Sequence, residues 1–270
     1  MLHLAAACNM LVALLDPGTP VDFLGDELRP TFPTPVPRGA RPGFLVHLRR
    51  LDQSQAQVFA DIEASLPGAP MDSIGEFYDV LETKFAEFIH TCHPQMQTER
   101  QIEFDFVTKI DGIDAMRRAI AIIRGQGEGK PQDGDPRDPT DPQGGLAHFF
   151  QFMELVKGQK YEPIGPGGSY EFNPNQPVFL PATHEMADIP DDGYHVQQLQ
   201  EPAQSKLKAF RLVYQQLLVK LSDTWNQPGS DLLNTFPLMT ELTNAAVALM
   251  QTPTPNGAVF YGPDFRLPEP

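Results

Sequence analysis

LHLAAACNMLVALL, residues 2–15, decides the fold class. Apolar groups fall at Leu2, Ala6, Met10 and Leu14, with Leu11 and Ala13 beside them, which is the period of a helix. His3 and Ala7 lie on the adjoining strip. Almost every side of this helix is apolar, so its place is inside a bundle rather than on a surface. It carries no Lys or Arg ahead of its apolar stretch and no small-residue cleavage site behind it, so it reads as part of the fold and not as a signal peptide.

Further helices follow along the chain. Ser54 is the expected cap of one running to about residue 65. Ser73-Ile74-Gly75-Glu76 has the spacing of a capping box and opens a stripe through Phe77, Leu81, Phe85, Phe88 and Cys92, closed by His93-Pro94. Residues 101–106 alternate and read as an extended piece. A helix through Ile113, Met116, Ile120 and Ile123 closes at the glycines of GQGEG, residues 125–129. LAHFFQFMELVKG, residues 146–158, is apolar on most sides and reads as the central, buried helix of the bundle. Two more helices cover 204–226 and about 230–251, and Pro237 should kink the second or start it afresh.

Between them lie irregular stretches at about 16–50, 130–145 and 159–200. Proline explains them: 28 of 270 residues is about twice the usual share, and prolines are excluded from helix interiors. Residues 130–145, KPQDGDPRDPTDPQGG, look like an acidic loop with no means of packing. The expected fold is therefore mainly α, a helical bundle in one domain over 1–270 with long proline-rich loops.

Charge narrows the function. The formal net charge is −15, whereas a binder of phosphate backbones or acidic lipid needs an excess of Lys and Arg, so no nucleic acid and no membrane is expected as a partner. Cys8 and Cys92 are too few for a disulfide framework or a four-thiolate zinc site, and they point to a reducing, cytoplasmic setting. There is no Gly-x-Ser-x-Gly elbow and no phosphate-binding glycine loop ending in Lys-Ser/Thr.

Four polar residues remain on helices that otherwise look buried: His3, Glu76, Glu128 and His148. Glutamate and histidine projecting inward from bundle helices are the ligand types of carboxylate-bridged di-iron sites. Each also has a plainer explanation. Glu76 stands at the third position of a capping box, Glu128 sits among glycines at a helix end, and a single histidine on an apolar strip is usually a core residue with one partner. A Glu-x-x-His pair ending at His148 would need its glutamate at Gly145, which has no ligating side chain.

The order of these segments resembles a known family. MLHLAAACNMLVALL, SIGEFYDVLE, GQGEG followed after a variable loop by AHFFQFMELVKGQ, FRLVYQQLLVKL, LMTELTNAAVALMQTP and YGPDF resemble, in sequence, the ferritin-like domain of the iminophenyl-pyruvate dimer synthase family. The resemblance implies a ferritin-like bundle and makes His3, Glu76, Glu128 and His148 candidate metal ligands, with residues 130–145 an insertion before His148. It also implies an N-terminally truncated relative, because the family places a carboxylate-bearing first helix and a further glutamate ahead of the position of Met1.

The implied function is a non-haem, metal-dependent oxidoreductase-type domain that oxidatively couples aryl-pyruvate imines in specialised metabolism. Iron is the implied cofactor, dinuclear with an upstream helix and otherwise a single divalent ion or none. A small aromatic 2-oxo or imino acid is the implied ligand, in a pocket walled by Phe149, Phe152 and Tyr78. The alternative is a non-catalytic helical scaffold or binding domain without a working metal site, since two carboxylates stand where a di-iron centre uses four. A groove left by a missing helix would favour a homo-oligomer.

Overall fold

The computed structural model describes residues 2–16, 18–26, 29, 32–35, 45–64, 73–88, 94–102, 105–127, 134–165 and 168–268. Seven helices carry these residues: α1 Leu2–Leu14, α2 Gln53–Glu63, α3 Ile74–Phe88, α4 Ile113–Gln126, α5 His148–Lys157, α6 Ala203–Asn226 and α7 Phe236–Met250. Among the described residues, sheet is confined to three antiparallel two-stranded ribbons. They pair β1 Thr34–Pro35 with β2 Leu45–Val46, β3 Arg100–Ile102 with β4 Asp105–Val107, and β5 Gln159–Pro163 with β6 Tyr170–Pro177. The fold is mainly α, as the helical periods require, and no described helix is long and apolar enough to cross a membrane.

α1 is the helix at the centre. One side, through Ala5, Cys8 and Val12, packs on Tyr214, Leu217, Leu218, Leu221 and Trp225 of α6. The other side, through Ala6, Met10 and Ala13, packs on Tyr78 and Phe85 of α3 and on Met116, Ile120 and Ile123 of α4. A helix apolar all round has nowhere else to go. Burial pushes the Cys8 thiol up to about 12, so it is a packing group rather than a nucleophile. Cys92 lies outside the described residues.

One polar residue sits in the middle of this core. Asn9 is fully buried and saturates its amide. Its Nδ2 donates to the carbonyls of Thr98 at 2.7 Å and Thr108 at 3.0 Å. Its Oδ1 accepts from the Thr98 N–H and from Trp225 Nε1, both at 3.0 Å. Asn9 thereby fastens α1 to the segment around β3 and β4 and to α6, and every polar group it brings inside has a partner.

Several local expectations need correction. Asp52, not Ser54, caps α2: its Oδ1 accepts the Gln55 N–H at 2.8 Å, while the Ser54 hydroxyl also donates to it at 2.6 Å. These bonds, the Ser54 one foremost, hold the Asp52 carboxyl below the usual range. The carboxylate wins because it accepts two donors at once and sits at the positive end of the helix. α5 is not buried on most sides. Only Phe149, Phe150 and Glu154 are buried on it, and its apolar face packs on Ala60 and Ala64 at the end of α2. Its other face borders a cavity, and that accounts for apolar residues without a core around them.

The stretch 159–200 is not wholly irregular, since β5 and β6 form a hairpin directly after α5. Alternating Tyr161, Pro163, Tyr170 and Phe172 give that ribbon its aromatic face. Pro237 starts a helix afresh: a short 3-10 turn, Leu232–Thr235, ends where α7 begins, with the proline in the first turn. α7 packs on α6.

The acidic loop does pack, over the part described. Residues 136–147 fold back on themselves through Asp138 N–H to Gly145 O at 2.7 Å and Ala147 N–H to Pro136 O at 2.8 Å. Asp138 accepts the Thr140 N–H at 2.8 Å, and Asp141 accepts the Gly145 N–H at 2.8 Å. Aspartate tied to backbone two to four residues on is turn chemistry, so these acids serve the loop's shape. Pro139 rests on Gly125 so closely that a Cβ there would come within 2.8 Å of the proline ring.

Candidate functional site

The loop closes the chain so that the C-terminal end of α4 meets the start of α5. Gly127 makes this approach: its φ is +143°, and a Cβ on it would stand 2.6 Å from the backbone N of His148. Any other residue would be strained there and would push α5 away. The helix interrupted after Gln126 thus resumes beside itself at His148.

Around this junction four helices contribute polar side chains. His3, in the first turn of α1, bonds through Nε2 to Oε1 of Gln126, the last residue of α4. With its proton on Nε2, His3 is the donor. Gln126 in turn donates from Nε2 to the Thr140 hydroxyl at 2.8 Å, which locks the amide orientation. The rings of His3 and His148 lie 5.7 Å apart, tilted by 43°. His148 Nδ1 is 3.9 Å from Oε2 of Glu63, the last residue of α2. Glu63 is mostly enclosed, its side chain 17% exposed, whereas His148 is 42% exposed and faces an opening.

That opening is a cavity of about 800 Å³ between α5 and the β5–β6 hairpin. Glu63 and His148 stand on its wall together with Phe152, Tyr161 and Tyr170. Phe152 stacks on Phe59 at 5.3 Å, and Tyr161 lies flat on Phe150 at 5.3 Å with an interplanar angle of 3°, so these rings are held from behind. Lys160 and Glu154 also line it, paired at 2.8 Å. Glu154 is 9% exposed on its side chain and accepts the Tyr161 N–H at 2.8 Å, so it anchors the first residues of the hairpin to α5.

Of the sequence candidates, His3 and His148 are brought together. Glu76 stays at the first turn of α3, half-buried, its N–H donated to the Ser73 hydroxyl at 3.3 Å as the capping reading expects. Glu128 lies outside the described residues. Of the expected aromatic wall, Phe152 lines the cavity, while Tyr78 and Phe149 are buried in the core clusters. Glu63, Gln126, Lys160, Tyr161 and Tyr170 were not singled out beforehand. Gln126 is inside GQGEG, two residues before Glu128. Glu63 ends a helix with no motif, so no signal in the sequence marked it.

Among the described residues no three His, Cys, Asp or Glu side chains are grouped so as to hold a metal ion. A dinuclear iron centre uses four carboxylates and two histidines, because the carboxylates neutralise and bridge the ions. The described junction offers two imidazoles, one carboxylate and a neutral amide already engaged by His3. This donor set does not fit a dinuclear iron centre.

The family model described as Ferritin-like matches residues 1–157, more than half of the sequence and up to the last residue of α5. The chain belongs to the ferritin-like family. No curated protein and no solved structure matches it. In this ferritin-like chain the hairpin, α6 and α7 lie beyond the matched region. Yet α6 shares a core with α1, and the hairpin supplies about a third of the residues on the cavity wall.

Proposed function

We propose that this ferritin-like domain is a binding domain for a small aromatic 2-oxo or imino acid, held in the cavity between α5 and the β5–β6 hairpin. The observation that carries this reading is the cavity itself. It joins His148 and Glu63 to a wall of Phe152, Tyr161 and Tyr170, and its volume of about 800 Å³ lies within the range of small-molecule sites. An aryl group would lie against the three rings. Lys160, half-exposed beside Glu154, has ammonium protons left over for the ligand's carboxylate. His148 is placed to give or take a proton next to the ligand, with Glu63 orienting its ring.

A second reading is favoured by one observation, the adjacency of His3 and His148 at 5.7 Å. In this reading the chain is a non-haem metal-dependent oxidoreductase domain of the type that oxidatively couples aryl-pyruvate imines. Its iron would need carboxylates beyond the described donors, Glu128 among them. Plasma mass spectrometry on protein produced with iron and manganese supplements separates the two, run beside His148→Ala. The binding-domain reading expects no stoichiometric metal in either protein. About two equivalents lost in the variant would overturn it in favour of the oxidoreductase.

A further inference from the structure

The last turns of α1 and α6 both line a second cleft. It holds about 350 Å³ and shares no wall residue with the cavity beside α5. That volume is at the lower end of the range for small-molecule sites. The loop after α1 closes one side. Asn226, the last residue of α6, accepts the Val21 N–H at 2.9 Å and donates to the Val21 carbonyl at 2.8 Å. The Phe23 N–H bonds to the Ser222 hydroxyl at 3.2 Å. The cleft is therefore framed by two helix ends and a loop tied down at two points.

Its walls divide by chemistry. Val12, Leu15, Pro20 and Met96 give it an aliphatic lining. Trp225 also borders it but is 1% exposed, so it offers little ring face for stacking. The polar side is negative. A helix leaves its last carbonyls without partners and carries about half a negative charge there. Leu15 and Gln227 donate their N–H groups to the carbonyls of Leu11 and Asp223. Among the described residues no backbone N–H reaches the carbonyls that follow, those of residues 12–14 and 224–226. Neither helix has a basic residue in its last turn. Asp16 adds a whole charge, exposed on the cleft wall and with no side-chain partner among the described residues. No Lys, Arg or His among the described residues lines the cleft.

From the aliphatic lining, the two helix ends and the unpaired carboxylate together, we propose that this cleft is a second ligand site, taking a small aliphatic primary amine in its protonated form. The alkyl chain packs on Val12, Leu15 and Met96. The ammonium, with three protons to donate, lies among the helix-end carbonyls and Asp16. The site is independent of the acid proposed for the cavity beside α5.

Hexylamine, hexan-1-ol and hexanoate, alike in length, test it by calorimetric titration into the full chain, with Trp225 emission as a second signal from the cleft wall. The amine is expected to bind one site about tenfold more tightly than the alcohol, and the hexanoate more weakly than either. Asp16→Asn should weaken the amine by about two- to fivefold and leave the alcohol unchanged. Its urea midpoint should match the wild type, since Asp16 is exposed and unpaired. Saturating phenylpyruvate, the acid expected in the other cavity, should leave amine binding unchanged. Equal binding of amine and alcohol, an Asp16→Asn variant that binds the amine as the wild type does, or displacement of the amine by phenylpyruvate would overturn the second site. Failure of the amine to bind would overturn it too, and would leave the reading of the α5 cavity standing.

Discussion

Replacing Asn9 by leucine should remove a large part of the stability of this chain. Asn9 is fully buried and makes four hydrogen bonds, to the Thr98 N–H and carbonyl, the Thr108 carbonyl and Trp225 Nε1. Leucine fills a similar volume, so the cost is not a cavity. It is the desolvation of partners left inside without an acceptor or donor, about 1–3 kcal/mol for each one that cannot relax. Some of the four will find water or shift, and the net loss expected is about 3–5 kcal/mol, a large share of the about 5–15 kcal/mol that holds a domain together. The assay is urea unfolding followed by tryptophan emission, which has one source here because Trp225 is the only tryptophan. The same signal reports the site, since Trp225 Nε1 loses its partner in the variant. A midpoint shift worth less than about 1 kcal/mol, with unchanged emission, would refute the role given to Asn9 as the tie between α1, α6 and the β3–β4 region.

Gly127→Ala should cost about 2–4 kcal/mol by combining a strained positive φ with a Cβ against the His148 backbone. A loss below about 0.5 kcal/mol in urea unfolding would show that α4 and α5 do not meet as described. Asp264→Asn should destabilise by about 3–5 kcal/mol, because Arg211, 3% exposed and bonded to Asp264 at 2.6 Å, would keep its buried charge without the carboxylate. A near-neutral change would contradict that buried pair. The Arg100 side chain bonded to Asp231 lowers the Asp231 carboxyl, so the native state favours its charged form. Its stabilisation is therefore complete above the unfolded value of about 3.9 and is lost as pH falls through the lower folded value. Wild type and Asp231→Asn should differ in urea midpoint near pH 6, and the difference should shrink as pH falls below about 4; a constant difference would refute the pairing.

The helices were legible because their apolar periods are strong. Leu2–Leu14, Ile74–Phe88, Ile113–Gln126 and Ala203–Asn226 each show one, and a proline could start but not interrupt Phe236–Met250. The hairpin after α5 was not legible, because Tyr161 to Phe172 carries two prolines and three glycines that mask the alternation of its aromatic face. Composition also misled at 134–147. Acid and proline suggested a chain without contacts, but each aspartate there bonds local backbone, and Pro139 seats on Gly125.

The candidate site was half legible. His3 and His148 stood out as polar groups on apolar strips and do come together. Gln126 and Glu63 did not stand out, since a glutamine at a helix end and a glutamate after an unexceptional helix have no pattern of their own. Only the fold places them, by closing α4 onto α5 and setting α2 beside α5.

The central claim is that the cavity beside α5 binds its ligand through this chain's own side chains and not through a metal. Calorimetric titration of phenylpyruvate into chelator-treated protein tests it most directly, repeated after loading with ferrous iron. The account predicts saturable binding to the metal-free protein, unchanged by iron and weakened by Phe152→Ala. Binding that appears only after iron is added would contradict it.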